Sequence, residues 1–201
     1  MKKALILFAT VWFALQMQAQ DTALLDQVKA VNSKISSFEA DLSNTLTDSD
    51  KTKTQTGKLH YAKPFEFAAQ FNTGNYMITN EKKIKMDIGI FHGSFKLKQG
   101  GRMQSLTNIF LYGFQGRIQD LADENNYSLS TKTEGGYHII TGTVKKKKLI
   151  GIGYKQVIYK YQVNDLLLKE IILVSYGGSV DTYTISNVQY DVNVDKKMFQ
   201  F

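Results

Sequence analysis

The stretch Gly57–Phe71, GKLHYAKPFEFAAQF, decides the fold. Leu59, Tyr61, Phe65, Phe67, Ala69 and Phe71 share one parity, so in an extended chain they line one face. Lys63 interrupts that apolar row immediately before Pro64, the only proline in the chain. The alternation predicts a half-buried strand, and the lysine within it needs a reason.

Working outward, the same period of two recurs on both sides. Toward the N-terminus, Phe38, Ala40, Leu42 and Leu46 alternate with Glu39, Asp41, Ser43 and Thr45, which predicts another strand. Before it, Leu24, Val28, Val31, Ile35 and Phe38 recur at spacings of four and three, and predict an amphipathic helix over 22–36. The polar segment TDSDKTKTQTG reads as the turn that joins the two strands.

Toward the C-terminus, Tyr76 and Ile78 lead into a turn at TNEKK, and Ile84, Met86 and Ile88 alternate with Lys83, Lys85 and Asp87. Phe95 and Leu97 continue the pattern. Met103, Leu106, Ile109, Phe110, Phe114, Ile118 and Leu121 then switch to helical spacing, which Gly113 and Gly116 are expected to break into two short helices. Strands resume with a hairpin around Glu134-Gly135-Gly136 and three more that turn at Asn164-Asp165 and Gly177-Gly178. A parity shift between Ile185 and Val188 predicts a bulge near Ser186-Asn187. The expected class is α+β, mainly β: one strongly curved antiparallel sheet of about 10–11 strands, an N-terminal helix, and mid-chain helices against one face.

The first residues belong to a different process. Lys2 and Lys3 precede the apolar run ALILFATVWFAL, and QMQAQ follows, the pattern of an export signal over 1–20 cleaved near Ala19 or Gln20. Taking 20 residues from 201 leaves 181, enough for one domain spanning 21–201, and loss of the two lysines lowers the formal charge from +7 to +5. That excess is too small to argue for nucleic acid. The chain has no cysteine, so disulfides and thiol chemistry are excluded. The expected product is an exported, soluble domain held by its core alone.

No catalytic constellation stands out. His60, His92 and His138 are far apart and lack a second ligand at helical or hairpin spacing, so no metal centre is expected. Asp120, Asp123 and Glu124 read as a solvated helix end rather than an acid/base pair. Gly151 and Gly153 lack the strand-turn-helix setting of a phosphate loop. The lysine run 145–148 reads first as a solvated hairpin end and second as a contact for anionic lipid or a partner. What remains is an excess of large apolar residues over what two helical segments cover. A solid core and a partly filled hollow capped by helices that lift both account for it.

Four patterns carry a resemblance across nearly all of the mature domain: SKISSFEADLSN, GKLHYAKPFEF, LTNIFLYGF and YTISNVQYDVNVDKKMFQF. In this order and spacing they resemble the LolA-like periplasmic lipoprotein-carrier family. The resemblance implies an incomplete antiparallel barrel with a helical lid over a hydrophobic cavity. It also implies a monomeric periplasmic carrier for acylated lipoproteins or related lipids, loaded by an inner-membrane exporter and unloaded at an outer-membrane acceptor, with no cofactor and no enzymatic step. On that reading Tyr61, Phe65, Phe67, Phe71, Tyr76, Ile78, Ile84 and Met86 are the strand-side lipid contacts, and Leu106, Ile109 and Phe110 the lid-side ones. Lys63 falls where the family's basic residue latches the lid backbone. The alternative is an envelope sensor or chaperone whose half-barrel binds protein rather than lipid. The two differ in whether acyl lipid accompanies the native protein.

Overall fold

Strand β1 (Ser37–Asp48) and strand β2 (Lys51–Ala62) pair along their whole lengths, with Ser37 opposite Ala62 and Asp48 opposite Lys51. The turn between them is therefore only Ser49-Asp50, and most of the segment expected as a loop is strand. Thr45 and Thr54 hydroxyls meet at 3.0 Å across the pair, and threonine favours such a surface even where no apolar face needs burial. In this computed structural model the described residues are 22–88, 91–125, 127–145 and 153–201. The expected export signal and Lys146–Lys148 lie outside them, and Lys145 is exposed.

Helix α1 covers 22–32 and buries Leu25, Val28 and Asn32. It ends four residues earlier than its spacing predicts. The Asn32 amide donates to Val28 O at 2.9 Å and to Leu166 O at 2.8 Å, fastening the last turn to the connection between Gln162 and Leu168. Strands β3 (Glu66–Phe71), β4 (Tyr76–Thr79), β5 (Lys83–Ile88) and β6 (Phe91–Lys96) follow as a meander. Helices α2 (Arg102–Gln115) and α3 (Ile118–Asn125) come next, and then β7 (Tyr127–Glu134), β8 (Tyr137–Val144), β9 (Tyr154–Gln162), β10 (Leu168–Ser175) and β11 (Val180–Tyr190).

Among the described residues, eleven strands form one antiparallel sheet in the order β6-β5-β4-β3-β2-β1-β11-β10-β9-β8-β7. Edge strands β6 and β7 do not pair, so the barrel is incomplete, and α2 and α3 make the connection between the two edges. This is the mainly-β architecture with an N-terminal helix and mid-chain helices that the alternation predicts. The expected bulge is present: Glu39 faces Gln189 but Asp41 faces Ser186, and Asn187 takes a φ of +50°. Asparagine tolerates that conformation better than most residues. Its side-chain amide donates to Asp41 Oδ2 at 2.7 Å.

Two apolar clusters result. The large one fills the concave face beneath α1, α2 and α3. The small one lies apart from it, where Ala62, Ala68, Val194 and Phe199 pack together with Ile78, and the 3-10 turn Lys196–Phe199 covers them. Among the described residues no helix is long and apolar enough to cross a membrane.

Candidate functional site

Helix α2 packs over β9 and β10, and its spacing matches that of β9. Four residues of helix rise about 6 Å and two residues of strand about 6.7 Å. Tyr159 and Tyr161, two apart on β9, accordingly reach carbonyls four apart on α2. The Tyr159 hydroxyl donates to Ile109 O at 2.9 Å, and that of Tyr161 to Gly113 O at 2.7 Å. Both hydroxyls are fully buried, and burial holds both phenols well above their usual range. A Cβ on Gly113 would stand 2.7 Å from the Tyr159 ring, so the glycine lets the helix lie this close. For the same reason α2 runs straight through Gly113 and does not break there. It ends at Gly116, whose φ is +68°, in a Schellman arrangement with Gly116 N–H on Gly113 O and Arg117 N–H on Tyr112 O.

Beneath α2 the concave face is filled by the protein's own side chains. Phe114 packs edge-on against Phe38 at 5.3 Å and Phe67 at 5.7 Å, and Phe110 against Tyr183 at 5.1 Å. The residual void among Leu42, Leu59, Phe67, Met77, Phe110 and Ile171 is about 10 Å³ and lined by apolar atoms, about the lower limit for one water.

The expected lipid contacts divide into three groups. Tyr61, Phe67, Phe71, Ile84, Met86, Leu106, Ile109 and Phe110 all join the filled core. Phe65 stands in the turn after Pro64 and is 42% exposed. Tyr76 and Ile78 carry the wrong parity for the concave face. Phe67 pairs with Thr79 and Ala69 with Met77, so Met77 and Thr79 point inward. Ile78 packs in the small cluster with Phe199, and Tyr76 is half-buried beneath the Lys85 ammonium. Four consecutive residues that all suit a strand, YMIT, give no alternation from which to choose a face.

Lys63 is exposed, because β2 ends at Ala62 and the chain turns before the lysine can point into the core. Its ammonium donates to Ser33 O just past the end of α1, where a helix presents unpaired carbonyls and the negative end of its dipole. The neighbouring carbonyl of Pro64 accepts from Gln115 Nε2 at 2.7 Å, and the same amide reaches the Tyr61 hydroxyl at 3.2 Å. The Lys63-Pro64 corner thus ties α1 with its cation and α2 with its carbonyl.

An open space lies at the other end of the concave face. A cavity of about 670 Å³ sits where β1, β2 and β11 extend beyond the helices. Leu46, Ile88, Phe91 and Tyr154 give it apolar walls. A hydrogen-bonded belt crosses its floor: Thr73 and Asn75 donate to Gln55 Oε1 at 2.8 and 2.9 Å, and Gln55 donates to Asn44 Oδ1 at 3.0 Å. Asn44 in turn donates to Asp181 Oδ1, and the Tyr183 hydroxyl donates to Asp181 Oδ2 at 3.0 Å. Every step points toward the Asp181 carboxylate.

Burial raises the Asp181 carboxyl above its usual range, and the bonds from Asn44 and Tyr183 oppose that shift in part. Tyr154 is pushed up to about 12, first by burial and then by the charge of Asp181, against an opposing effect from Arg102. Arg102 itself stacks on Phe91 at 5.3 Å. Leu46 and Ile88 appear in the sequence as ordinary members of alternating runs. Asn44, Gln55 and Asp181 escape sequence reasoning, although all three sit on the inward parity of their strands, which is the signal that could have found them.

No family model matches the chain, and no curated protein matches it. Solved structures do. An uncharacterized conserved protein from Thermus thermophilus is 9% identical and aligns over 90% of this chain and 94% of its own, with a TM-score of 0.50. A LolA superfamily protein from Nitrosomonas europaea is 8% identical over 90% of this chain and 97% of its own, with a TM-score of 0.44. The MucA/MucB complex of Pseudomonas aeruginosa is 8% identical, covers 89% of this chain and 60% of the matched chain, and has a TM-score of 0.47. The likeness is one of fold. No group of three or more side chains suited to a metal ion occurs among the described residues.

Proposed function

We propose that this protein is an exported carrier that binds the acyl chains of lipoproteins or related lipids and ferries them across the periplasm from inner to outer membrane. The observation that carries the reading is the 670 Å³ cavity with apolar walls at the end of the concave face. Its size falls within the range of about 300–1,000 Å³ usual for small-molecule sites. One chain of sixteen carbons, at about 0.8 kcal/mol per buried methylene, supplies about 13 kcal/mol before ordering costs. That holds a lipid in water without covalent chemistry, and no catalytic step is part of the account.

The reading changes which residues meet the ligand. Leu46, Ile88, Phe91 and Tyr154 receive the first methylenes. Phe110 and Phe67 become contacts only if α2 moves off β9, which requires the Tyr159, Tyr161 and Gln115 bonds to break. An inner-membrane donor and an outer-membrane acceptor are the partners the role needs, and the domain spans 21–201. The alternative, a sensor that binds protein, draws on a different observation: the space beneath α2 is filled, while edge strands β6 and β7 do not pair with each other.

Displacement of an apolar fluorescent dye separates the two. Fatty acids and lysophospholipids should displace it, soluble sugars and nucleotides should not, and Phe91→Asp should abolish dye binding while the protein stays folded. Dye binding unaffected by acyl compounds and by Phe91→Asp would remove the cavity from the account.

A further inference from the structure

The walls and the floor of the cavity make different demands. Leu46, Phe91 and Tyr154 offer apolar surface, whereas Asn44, Gln55 and Asp181 offer polar atoms on the same concave face. A ligand that is apolar throughout would displace water from the floor and leave a carboxylate facing hydrocarbon, which is costly. The hydrogen bonds Asp181 receives come from neutral groups, an amide and a phenol, and among the described residues no cation pairs with it. Each carboxylate oxygen takes one of these bonds and can accept another.

We infer that the cavity selects amphiphiles whose polar end donates hydrogen bonds, an amine or a hydroxyl, and seats that end on the Asp181 carboxylate with the acyl chain against Leu46 and Phe91. The inference rests on the acyl-binding reading above and adds the chemistry of the head. Among the described residues two cations border the site. Lys53 faces Asp181 across Leu46, which pairs with both, so two strand spacings, roughly 10 Å, separate their backbones. Lys53 is exposed and keeps its water, and Arg102 is engaged with the Phe91 ring. Asp181 is the more desolvated charge, so its demand for a donor outweighs what the rim offers an anion. Tyr154 and Tyr183, the other titratable groups beside it among the described residues, stay neutral and do not supply a countercharge.

The test compares three probes with the same twelve-carbon tail, dodecylamine, dodecanol and laurate, each below its micelle-forming concentration and each displacing an apolar fluorescent dye from the full-length protein. The amine should displace dye at about one tenth the concentration laurate requires, with the alcohol between them. In Asp181→Asn the amine and laurate should differ by less than about threefold, and Leu46→Ala should weaken all three by a similar factor. The protein's positive formal charge would by itself favour laurate, so non-specific attraction cannot produce the expected order. Laurate binding as tightly as the amine, or an amine preference that survives Asp181→Asn, overturns the head-group inference while leaving acyl binding intact. Failure of all three to displace dye overturns the acyl-binding reading itself, and the inference with it.

Discussion

The hydroxyl of Tyr161 on β9 donates to the carbonyl of Gly113 on α2 at 2.7 Å, inside a region closed to water. Together with the bond from Tyr159 to Ile109 it sets how firmly the helix lies on the sheet. Removing the hydroxyl in Tyr161→Phe keeps the ring and its packing. It should lower stability by about 1 kcal/mol, the net worth of one buried hydrogen bond, and speed amide exchange along α2. Denaturant titration and hydrogen exchange check this; unchanged exchange in α2 would mean that the helix is held by packing alone.

Gly113→Ala should destabilise the protein even though alanine favours helices by about 1 kcal/mol. The added methyl would sit 2.7 Å from the Tyr159 ring and 3.3 Å from Ile171, and overpacking of this kind costs about 1–3 kcal/mol. A rise in Tm would show that α2 can shift away from β9 at little cost.

The two ties at the Lys63-Pro64 corner should behave unequally. Gln115→Leu strips a buried donor from both Pro64 O and the Tyr61 hydroxyl, and should lower stability by about 1–3 kcal/mol. Lys63→Leu removes an exposed contact with Ser33 O and should cost less, with its larger effect on how fast bound lipid exchanges. Equal losses of stability, with lipid exchange unaltered, would mean that Lys63 does not act as a latch.

Asp181 gives the stability a definite pH dependence. Its folded-state carboxyl titrates above the usual value of 3.8, so the folded protein holds that proton more tightly than the unfolded chain does. Any advantage from this group is present below the ordinary carboxylate range and is lost as pH rises through the raised folded value. Asp181→Asn should therefore gain stability relative to wild type as pH increases from acid to neutral, measured by urea denaturation across that range. A difference that stays flat with pH would mean that burial does not burden the carboxylate.

The fold was legible wherever one face of a strand is dry and the other wet. The Glu134-Gly135-Gly136 hairpin, the bulge at Asn187 and the helical switch from Met103 onward all left a change of period. The first half of β2, KTKTQT, left none, because it projects past the helices and neither of its faces is buried in apolar contacts. Strand β4 shows no alternation for the opposite reason: both of its sides are covered, one by the core and one by the turn at Phe199. The site was harder still. Hydrophobic parity marks where the chain packs against itself, and so it pointed to Phe67 and Phe110, which fill the closed part of the hollow. The cavity lies one and two rows further on, at Asn44 and Leu46, where the core pattern fades into polar residues.

The most direct measurement is mass spectrometry of the organic-soluble material extracted from the protein purified natively, without detergent, from cells that export it. The account predicts acyl-chain lipid in an amount approaching one molecule per protein, and its loss when Phe91 is replaced by Asp. An extract free of acyl material from both proteins, with the wild type folded and its cavity accessible to dye, would contradict the claim that this hollow carries lipid.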